Sequence, residues 1–361
     1  MAKKLAFDKW LFTVIVLLVG FGLVMVYSAS AAVARERGLS VNPFLAKQAA
    51  AAVLGCLLMA ALMHLDYRRL RNVPVVYGAL GLALLALIAV LFSPEVNGTS
   101  RWFFVGPFSI QPSEGAKIAL VLFLAYQIDR KIDHVNHKTL LLPCAVVTGL
   151  FGALVVLEPD LGSAVLMVAV SFTMVFLAGL AWRYLIAAAA VVIPLVYVLV
   201  IAVPYRRERL FAFLDPEKDP LNTGYQALQS LIAVGSGGVT GLGLGGSMQK
   251  QYFLPYPHSD FVFAIVAEEL GMVGALAVVG LFMVFLWRGV RAGLRAPDLF
   301  GRYLAWGLTT SIVMQAIINT SVAVALLPTK GIPLPFISYG GSSLVMTLAA
   351  CGLLLNISEH A

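Results

Sequence analysis

Ionisable side chains stand at the edges of long apolar runs, where a membrane-embedded chain rarely tolerates them. In FLPYPHSDFVFAIVAEELG, residues 253–271, His258 and Asp260 come directly before an apolar run that contains Glu268 and Glu269. A charged group at membrane depth is costly, so such residues usually face a cavity, pair with each other or act on a substrate. Asp is also a favoured N-cap, so Asp260 could simply cap the next helix. Adjacent helix residues point about 100° apart, so at most one of the two glutamates is expected to share the face of Asp260.

Two further pairs of ionisable residues stand beside other apolar runs. In QPSEGAK, Glu114 and Lys117 are three residues apart. That spacing places both on one helix face, so a plain intrahelical ion pair competes with a substrate contact. In LEPDLGSA, Glu158 and Asp160 lie in a short turn between two apolar runs, and turn chemistry alone would account for the aspartate. Each pair is therefore a candidate for chemistry that has a simpler structural alternative.

A fourth group lies in PTKGIPLPFISYGGSSL, residues 328–344. Lys330 and three prolines come before a cluster of Ser, Tyr and Gly residues that includes Ser338. A membrane protein tolerates an interrupted helix of this kind only where protein or a water-filled cavity satisfies the backbone. The segment therefore predicts a helix start that lines a cavity.

The elements that must carry these residues are predicted to be membrane-spanning helices. Of the 361 residues, 60% are hydrophobic and 12% are charged, well below the roughly 25% charged residues of soluble domains. The apolar residues come in blocks of about 20, and a helix of that length crosses the hydrocarbon layer. We expect an all-α fold, a polytopic membrane helical bundle of ten transmembrane helices. Their predicted positions are residues 10–30, 43–64, 74–93, 114–129, 139–156, 161–180, 184–203, 261–287, 301–325 and 335–356.

The basic residues indicate which side of the membrane each loop faces. The net charge of +7 is distributed in short clusters between apolar runs, where the positive-inside effect places them, so it does not indicate a nucleic-acid partner. The pattern predicts cytoplasmic termini and leaves residues 94–113 and about 204–260 outside. The second segment is rich in Gly, aromatic and apolar residues, so we expect an ordered extracytoplasmic loop. Its glycine-rich part, residues 231–246, either folds tightly onto the bundle or contacts a lipid-linked phosphate.

Four candidate residues share the predicted external side: Glu114, Asp160, Asp260 and Lys330. A cleft lined by carboxylates and cations there suits a substrate with an anionic head group and a lipid tail. A carboxylate near a sugar hydroxyl can act as general base, and charged groups or a divalent ion can offset a departing diphosphate. A transporter would instead place its charged groups along a path at the membrane midplane. The one-sided distribution favours a transferase.

Four long motifs occur in a fixed order: NGTSRWFFVGPFSIQPSEGAKIAL, LEPDLGSA, DPLNTGYQALQSLIAVGSGGVTGLGLGGSMQKQYFLPYPHSDFVFAIVAEELG and LPTKGIPLPFISYGGSSL. Together they resemble the SEDS family (shape, elongation, division and sporulation), which are integral membrane peptidoglycan glycosyltransferases. The resemblance runs across essentially the whole chain and predicts a single SEDS-type domain over residues 1–361. GLGGSMQKQYFLP and PFISYGGSSL are more similar to division members than to rod-elongation members, and a sporulation paralogue would look much the same.

The resemblance implies an enzyme that polymerises lipid II into glycan strands at the external membrane face during cell division. Undecaprenyl diphosphate would be the leaving group, and the anomeric carbon would be inverted. Asp260 of PHSDF would be the general base that deprotonates the 4-hydroxyl of the acceptor sugar. The residues expected to bind the substrate or support the site are Glu114, Lys117, Asp160, His258, Lys330 and Ser338.

The family usually has Gln before the proline of LEPDLGSA, whereas this chain has Glu158, which leaves the local charge open. The resemblance also implies a divalent cation such as Mg²⁺ or Mn²⁺, for which no ligand set can be read from the sequence. It implies a multi-pass protein of the bacterial cytoplasmic membrane that works with a class B penicillin-binding protein, which crosslinks the strands, and with divisome regulatory proteins. Three alternatives stay open: a lipid II flippase, a rod-elongation paralogue and a noncatalytic scaffold that recruits the penicillin-binding protein.

Overall fold

The computed structural model describes residues 7–36, 42–95, 99–106, 108–215, 224–251, 253–329 and 331–360. Within these residues the chain forms twelve α-helices and one short antiparallel β-hairpin. The helices are α1 Lys9–Glu36, α2 Pro43–His64, α3 Val73–Val90, α4 Pro112–Lys131, α5 Lys138–Leu157, α6 Leu161–Leu177, α7 Trp182–Ile201, α8 Pro204–Leu214, α9 Tyr225–Ser236, α10 Val262–Arg295, α11 Leu299–Ala323 and α12 Gly341–Glu359. The strands are β1 Phe103–Val105 and β2 Phe108–Ile110.

Each of the ten predicted spans is a helix: they correspond to α1 to α7 and α10 to α12. Of the helices in the described ranges, seven are long and apolar enough to cross a membrane, namely α1, α2, α3, α5, α7, α10 and α12. Helix α6 has 17 residues, and α4 and α11 carry buried polar side chains that are described below. The prediction of an all-α polytopic membrane bundle is confirmed.

The two predicted external segments are folded wherever the structure describes them. The hairpin of β1 and β2 lies in the first segment, and it is a short sheet that the all-α prediction did not include. Helices α8 and α9 lie in the second, followed by an irregular stretch from Gly237 to Phe261. Residues 216–223 and 252 of that segment lie outside the described residues.

Helices α4 and α12 are buried over a larger share of their length than the other helices for which buried residues are described. Each has fifteen buried residues, and on α4 these include Glu114 and Lys117. Helix α7, by contrast, has no buried residue. The ionisable residues of α4 therefore face protein and not lipid, as expected for charged groups that persist at membrane depth.

Helix α10 is interrupted one quarter of the way along its 34 residues. Gly271 has non-helical angles there, with φ 66° and ψ −165°. A Cβ at this position would lie 2.4 Å from the amide nitrogen of Gly241 and 2.4 Å from the carbonyl oxygen of Val239. The break therefore requires glycine both for its backbone conformation and for the close approach of the glycine-rich loop.

Replacing Gly271 with alanine is expected to lower the thermal stability of the purified protein in detergent. These backbone angles are essentially restricted to glycine and cost a residue with a Cβ about 1–3 kcal/mol, and the added methyl collides with backbone atoms that cannot rotate away. The matched control is Gly280→Ala on the same helix, where no atom lies within 4 Å of the added Cβ. Alanine there should be neutral or stabilising, because it is the best helix former. Equal melting temperatures for Gly271→Ala and wild type would contradict this account of the break.

Candidate functional site

Two amide side chains on one face of α11 hold the chain that leads into α12. Gln315 Nε2 donates to the carbonyl oxygen of Pro333 at 2.9 Å. Asn319 Nδ2 donates to the carbonyl oxygens of Ile332, at 2.8 Å, and Asp260, at 2.9 Å. Residues four apart are neighbours on a helix surface. Helix α11 thus fixes the chain before α12 against the residues just before α10.

Asp260 lies against residues 331–338, which are called the entry segment below. A Cβ on Gly331 would lie 3.2 Å from Asp260 Oδ2, so the missing side chain leaves room for the carboxylate beside the backbone. Burial raises the pKa of Asp260 to about 6. A pKa close to the working pH is what a general base requires. The position and the proton affinity of this carboxylate both suit proton abstraction.

Charged neighbours act on Asp260 in opposite directions. Arg209 of α8 and Arg101 of the first external segment lower its pKa, and Asp160 raises it. Both arginines therefore contribute positive charge to the surroundings of Asp260. Neither was predicted as a site residue, although Arg101 lies within the NGTSRW motif.

His258 and Ser338 hold the loop that ends at Asp260. Ser338 Oγ donates to the carbonyl oxygen of Ser259 at 2.5 Å, and the amide of Tyr339 donates to the carbonyl oxygen of His258 at 2.8 Å. The His258 ring packs on Phe44 and Tyr339, with centroids 4.6 and 5.6 Å away. Burial lowers the pKa of His258 to about 4, so the imidazole is neutral at pH 7. In these contacts both residues support the site by fixing the backbone.

Asp160 caps α6 at the end of the helix that packs on the entry segment. Its carboxylate accepts hydrogen bonds from the amide and hydroxyl of Ser163, at 3.0 and 2.7 Å, and from Gln111 Nε2 at 3.4 Å. A Cβ on Gly162 would lie 2.7 Å from Ile332 Cδ1, so the first turn of α6 packs directly on the entry segment. The structure thus brings Asp160 into the neighbourhood of Asp260, as the sequence predicted.

Glu114 and Lys117 form the intrahelical ion pair that their spacing predicts, with 2.9 Å between Lys117 Nζ and Glu114 Oε2. Lys117 Nζ also donates to Gln315 Oε1 at 2.6 Å. The nitrogen of the same amide donates to Pro333, so one glutamine connects α4 to the entry segment. The pair is therefore more than a local contact of α4.

A small open pocket, the cavity referred to below, lies between α4, α11 and α12. Glu114, Lys117 and Gln315 supply part of its polar wall. Its other lining residues are Ile118, Val121, Leu308, Ser311, Ile312, Met346, Thr347 and Ala350. The lining is therefore partly polar and partly apolar.

Glu158 is fully buried, and neither of its carboxylate oxygens has a hydrogen-bond partner. Burial, reinforced by Asp160 and opposed by Arg101, raises its pKa to about 8. The Arg101 side chain instead donates to the carbonyl oxygens of Glu158 and Pro159, at 2.9 and 2.5 Å. At pH 7 Glu158 is therefore mostly a neutral acid, close in shape and charge to the glutamine that the family resemblance leads one to expect.

Glu158→Gln is expected to leave activity unchanged and to alter how stability depends on pH. The folded-state pKa of about 8 lies above the ordinary value of 4.5, so the folded protein binds this proton more tightly than the unfolded chain. The stability that Glu158 contributes is then fully present below about pH 4.5 and falls as the pH rises through about 8. The variant has no proton to lose there, so it should not show that fall.

The measurement is the melting temperature of both proteins across that pH range. Glu208→Gln, at an exposed position of α8, is the matched control and should follow wild type. Parallel pH profiles for wild type and Glu158→Gln would contradict the assignment of a buried neutral acid.

Glu268 and Glu269 do not join the group around the entry segment. The Glu268 carboxylate accepts the amide of Met248 at 2.9 Å, and the Glu269 carboxylate binds Lys250 Nζ at 2.6 Å. Both glutamates thus bind the loop that precedes α10. Sequence reasoning placed them near the cavity but did not find these partners.

The expected divalent cation has no preassembled ligand set in the part of the chain that the structure describes. No group of three or more His, Cys, Asp or Glu side chains there could hold a metal ion. The cation stays a prediction. Lys330, the cation predicted for the same side, lies outside the described residues.

The fold and its buried polar site define a polytopic helical membrane protein. Comparison with related sequences identifies the family within that class. A family model described as cell cycle protein, FTSW_RODA_SPOVE, matches residues 8–361. A probable peptidoglycan glycosyltransferase FtsW of Geobacter metallireducens is 44% identical over 357 residues, which cover 98% of this chain and 95% of the relative. Stage V sporulation protein E of Bacillus subtilis is 39% identical over 361 residues, which cover 99% of each chain.

Solved structures of related proteins have the same fold. A chain of a peptidoglycan synthase complex, solved to explain how polymerization and crosslinking are coordinated, matches with a TM-score of 0.81 and 36% identity over 98% of each chain. The rod shape determining protein RodA of Thermus thermophilus matches with a TM-score of 0.71 and 31% identity, over 98% of this chain and 97% of that one. The chain therefore belongs to the SEDS family of FtsW, RodA and SpoVE proteins, and it is FtsW-like.

Proposed function

We propose that this protein is a peptidoglycan glycosyltransferase that polymerises lipid II into glycan strands at the external membrane face during cell division. The observation that carries the proposal is the carboxylate of Asp260, which burial gives a pKa of about 6 and which lies against the entry segment. Relatives that match over nearly the whole chain and are named probable peptidoglycan glycosyltransferases support the reaction class.

In the proposed reaction, Asp260 accepts the proton of the acceptor 4-hydroxyl while that oxygen attacks the anomeric carbon of the donor. The bond from that carbon to the diphosphate breaks, and undecaprenyl diphosphate leaves with the electron pair. Attack opposite the leaving group inverts the anomeric carbon. The proton stays on Asp260 until water removes it, which its near-neutral pKa allows.

The leaving diphosphate needs positive charge around it as the bond breaks. Arg101 and Arg209 are the described cations that act on Asp260, and both lower its pKa. Lys117 lines the neighbouring cavity. We assign Arg101 and Arg209 to the diphosphate side of the site and Glu114, Lys117 and Asp160 to supporting its walls. A divalent cation such as Mg²⁺ or Mn²⁺, which the family resemblance implies, would add positive charge on the diphosphate side of the site.

The proposed setting is the bacterial cytoplasmic membrane, with both termini in the cytoplasm and the entry segment on the outer side. The proposed partners are a class B penicillin-binding protein, which would crosslink the new strands, and divisome regulatory proteins. A structural relative that is part of a peptidoglycan synthase complex supports such an assembly. The division role, and not elongation or sporulation, is supported by the relatives named FtsW.

The test is glycan polymerisation from labelled lipid II by the purified protein together with its cognate penicillin-binding protein. Asp260→Asn removes the base but keeps the shape of the side chain, and a general base contributes about 10²- to 10⁴-fold to a rate. We therefore expect the rate to fall by at least about 100-fold. The control is Asp298→Asn, at the N-cap of α11, where asparagine caps as well as aspartate.

Equal polymerisation by wild type and Asp260→Asn would overturn the assignment of the base. If neither protein forms strands while wild type moves lipid II across a vesicle membrane, the protein is a transporter. If Asp298→Asn loses activity as well, the loss reflects general damage and not the removal of the base.

A further inference from the structure

The loop that ends at Asp260 is fixed at its other end by two buried glutamates. Glu268 accepts hydrogen bonds from the Ser247 hydroxyl and from the amides of Met248, at 2.9 Å, and Gln249, at 3.3 Å. All three donors to the Glu268 carboxylate therefore come from the loop. It acts as a cap for the turn that begins at Ser247.

The neighbouring Glu269 makes a buried three-way contact. Lys250 Nζ lies 2.6 Å from Glu269 Oε1, and Ser28 Oγ of α1 donates to both carboxylate oxygens at 2.7 and 2.8 Å. Lys250 Nζ also donates to Ser28 Oγ at 3.1 Å. Lys250 is 5% exposed and Glu269 is fully buried, so water does not screen the pair. The contact joins α1, α10 and the loop at one point.

The break in α10 supplies a second attachment for the same loop. The carbonyl oxygens of Glu268 and Glu269, which the break frees from the helix, accept the amides of Leu242, at 3.0 Å, and Gly243, at 2.9 Å. Beyond the break, the amide of Met272 donates to the carbonyl oxygen of Gly238 at 2.9 Å. The glycine-rich stretch therefore folds onto the bundle, which is the first of the two alternatives that its sequence left open.

The spacing of Ser247 and Lys250 also permits a different reading. Ser-x-x-Lys is the spacing of the nucleophile and lysine in penicillin-binding proteins. Here, however, Ser247 Oγ donates to Glu268, whereas Lys250 Nζ is engaged by Glu269 and Ser28. The lysine therefore does not activate the serine, and the geometry assigns the pair to anchoring.

We infer that Lys250 and Glu269 are positioning residues for the glycosyl transfer. Their ion pair holds the loop that presents Asp260, at a point ten residues before that aspartate. The inference rests on the proposed function of Asp260. The loop is attached near Asp260 by Ser338 and Asn319 and at its far end by this ion pair. Without the ion pair, the bonds of Ser247, Met248 and Gln249 to Glu268 remain, but the loop moves more at Lys250, and Asp260 spends less time in the reactive geometry.

The experiment compares Lys250→Met with wild type in the complex with the penicillin-binding protein. The variant keeps the length of the side chain but leaves Glu269 without its cation. We expect kcat to fall at least tenfold with KM for lipid II within twofold, because the substrate does not contact the anchor. Hydrogen exchange of residues 247–251 should become faster. Exchanging the two charges, Lys250→Glu with Glu269→Lys, should give a kcat at least fivefold higher than that of Lys250→Met.

The matched control is Arg288→Met, which removes another ion pair, the partly buried one of Arg288 with Asp8, at the opposite end of the same helices. It should change neither kcat nor the exchange of the loop. A wild-type kcat for Lys250→Met, unchanged exchange, or an equal loss of kcat in Arg288→Met would overturn the inference. If wild type itself forms no strands, the proposed function fails, and the exchange comparison still decides whether the anchor holds the loop.

Discussion

One side-chain amide, that of Asn319, brings together the two chain segments on which the site depends. Its nitrogen donates to the carbonyl oxygens of Asp260 and Ile332, from positions that are far apart in sequence. A hydrogen bond of this kind contributes about 0.5–1.5 kcal/mol net, but a buried carbonyl left without a donor costs about 1–3 kcal/mol. One turn away, Gln315 repeats the arrangement and extends it to Lys117. The catalytic loop, the entry segment and α4 therefore share one support on α11.

The buried carboxylates described above fall into three groups: those with structural partners, one that burial keeps neutral, and the one proposed to do chemistry. Glu114, Asp160 and Glu269 each satisfy their charge with a lysine, an amide or a hydroxyl. Glu158 has no such partner, and burial keeps it neutral. Asp260 lies between these cases, since burial raises its pKa only to about 6. It can be ionised at rest and still accept a proton during the reaction.

Local patterns predicted much of this arrangement, whereas the long-range contacts had no signal in the sequence. Apolar blocks gave the ten spanning helices, and the three-residue spacing gave the ion pair of Glu114 with Lys117. The contacts of Asn319 and Lys250 could not be predicted, because a polar residue in a sequence does not identify a partner many residues away. The break at Gly271 was hidden inside an apolar run, since it is caused by the loop that packs there. Helices α8 and α9 were similarly hidden in a segment predicted only as an ordered loop.

The most direct test of this account is the polymerisation rate of Asn319→Asp with lipid II, measured beside Thr320→Val. Aspartate has the size of asparagine but turns an acceptor toward two carbonyl oxygens, so the loop and the entry segment should separate. Among the residues that the structure describes, the Thr320 hydroxyl donates only to carbonyls of its own helix, those of Ala316 and Ile317, so its replacement should leave the rate unchanged. We predict at least a tenfold loss in folded Asn319→Asp and none in Thr320→Val. A wild-type rate in Asn319→Asp would contradict the central role of this amide.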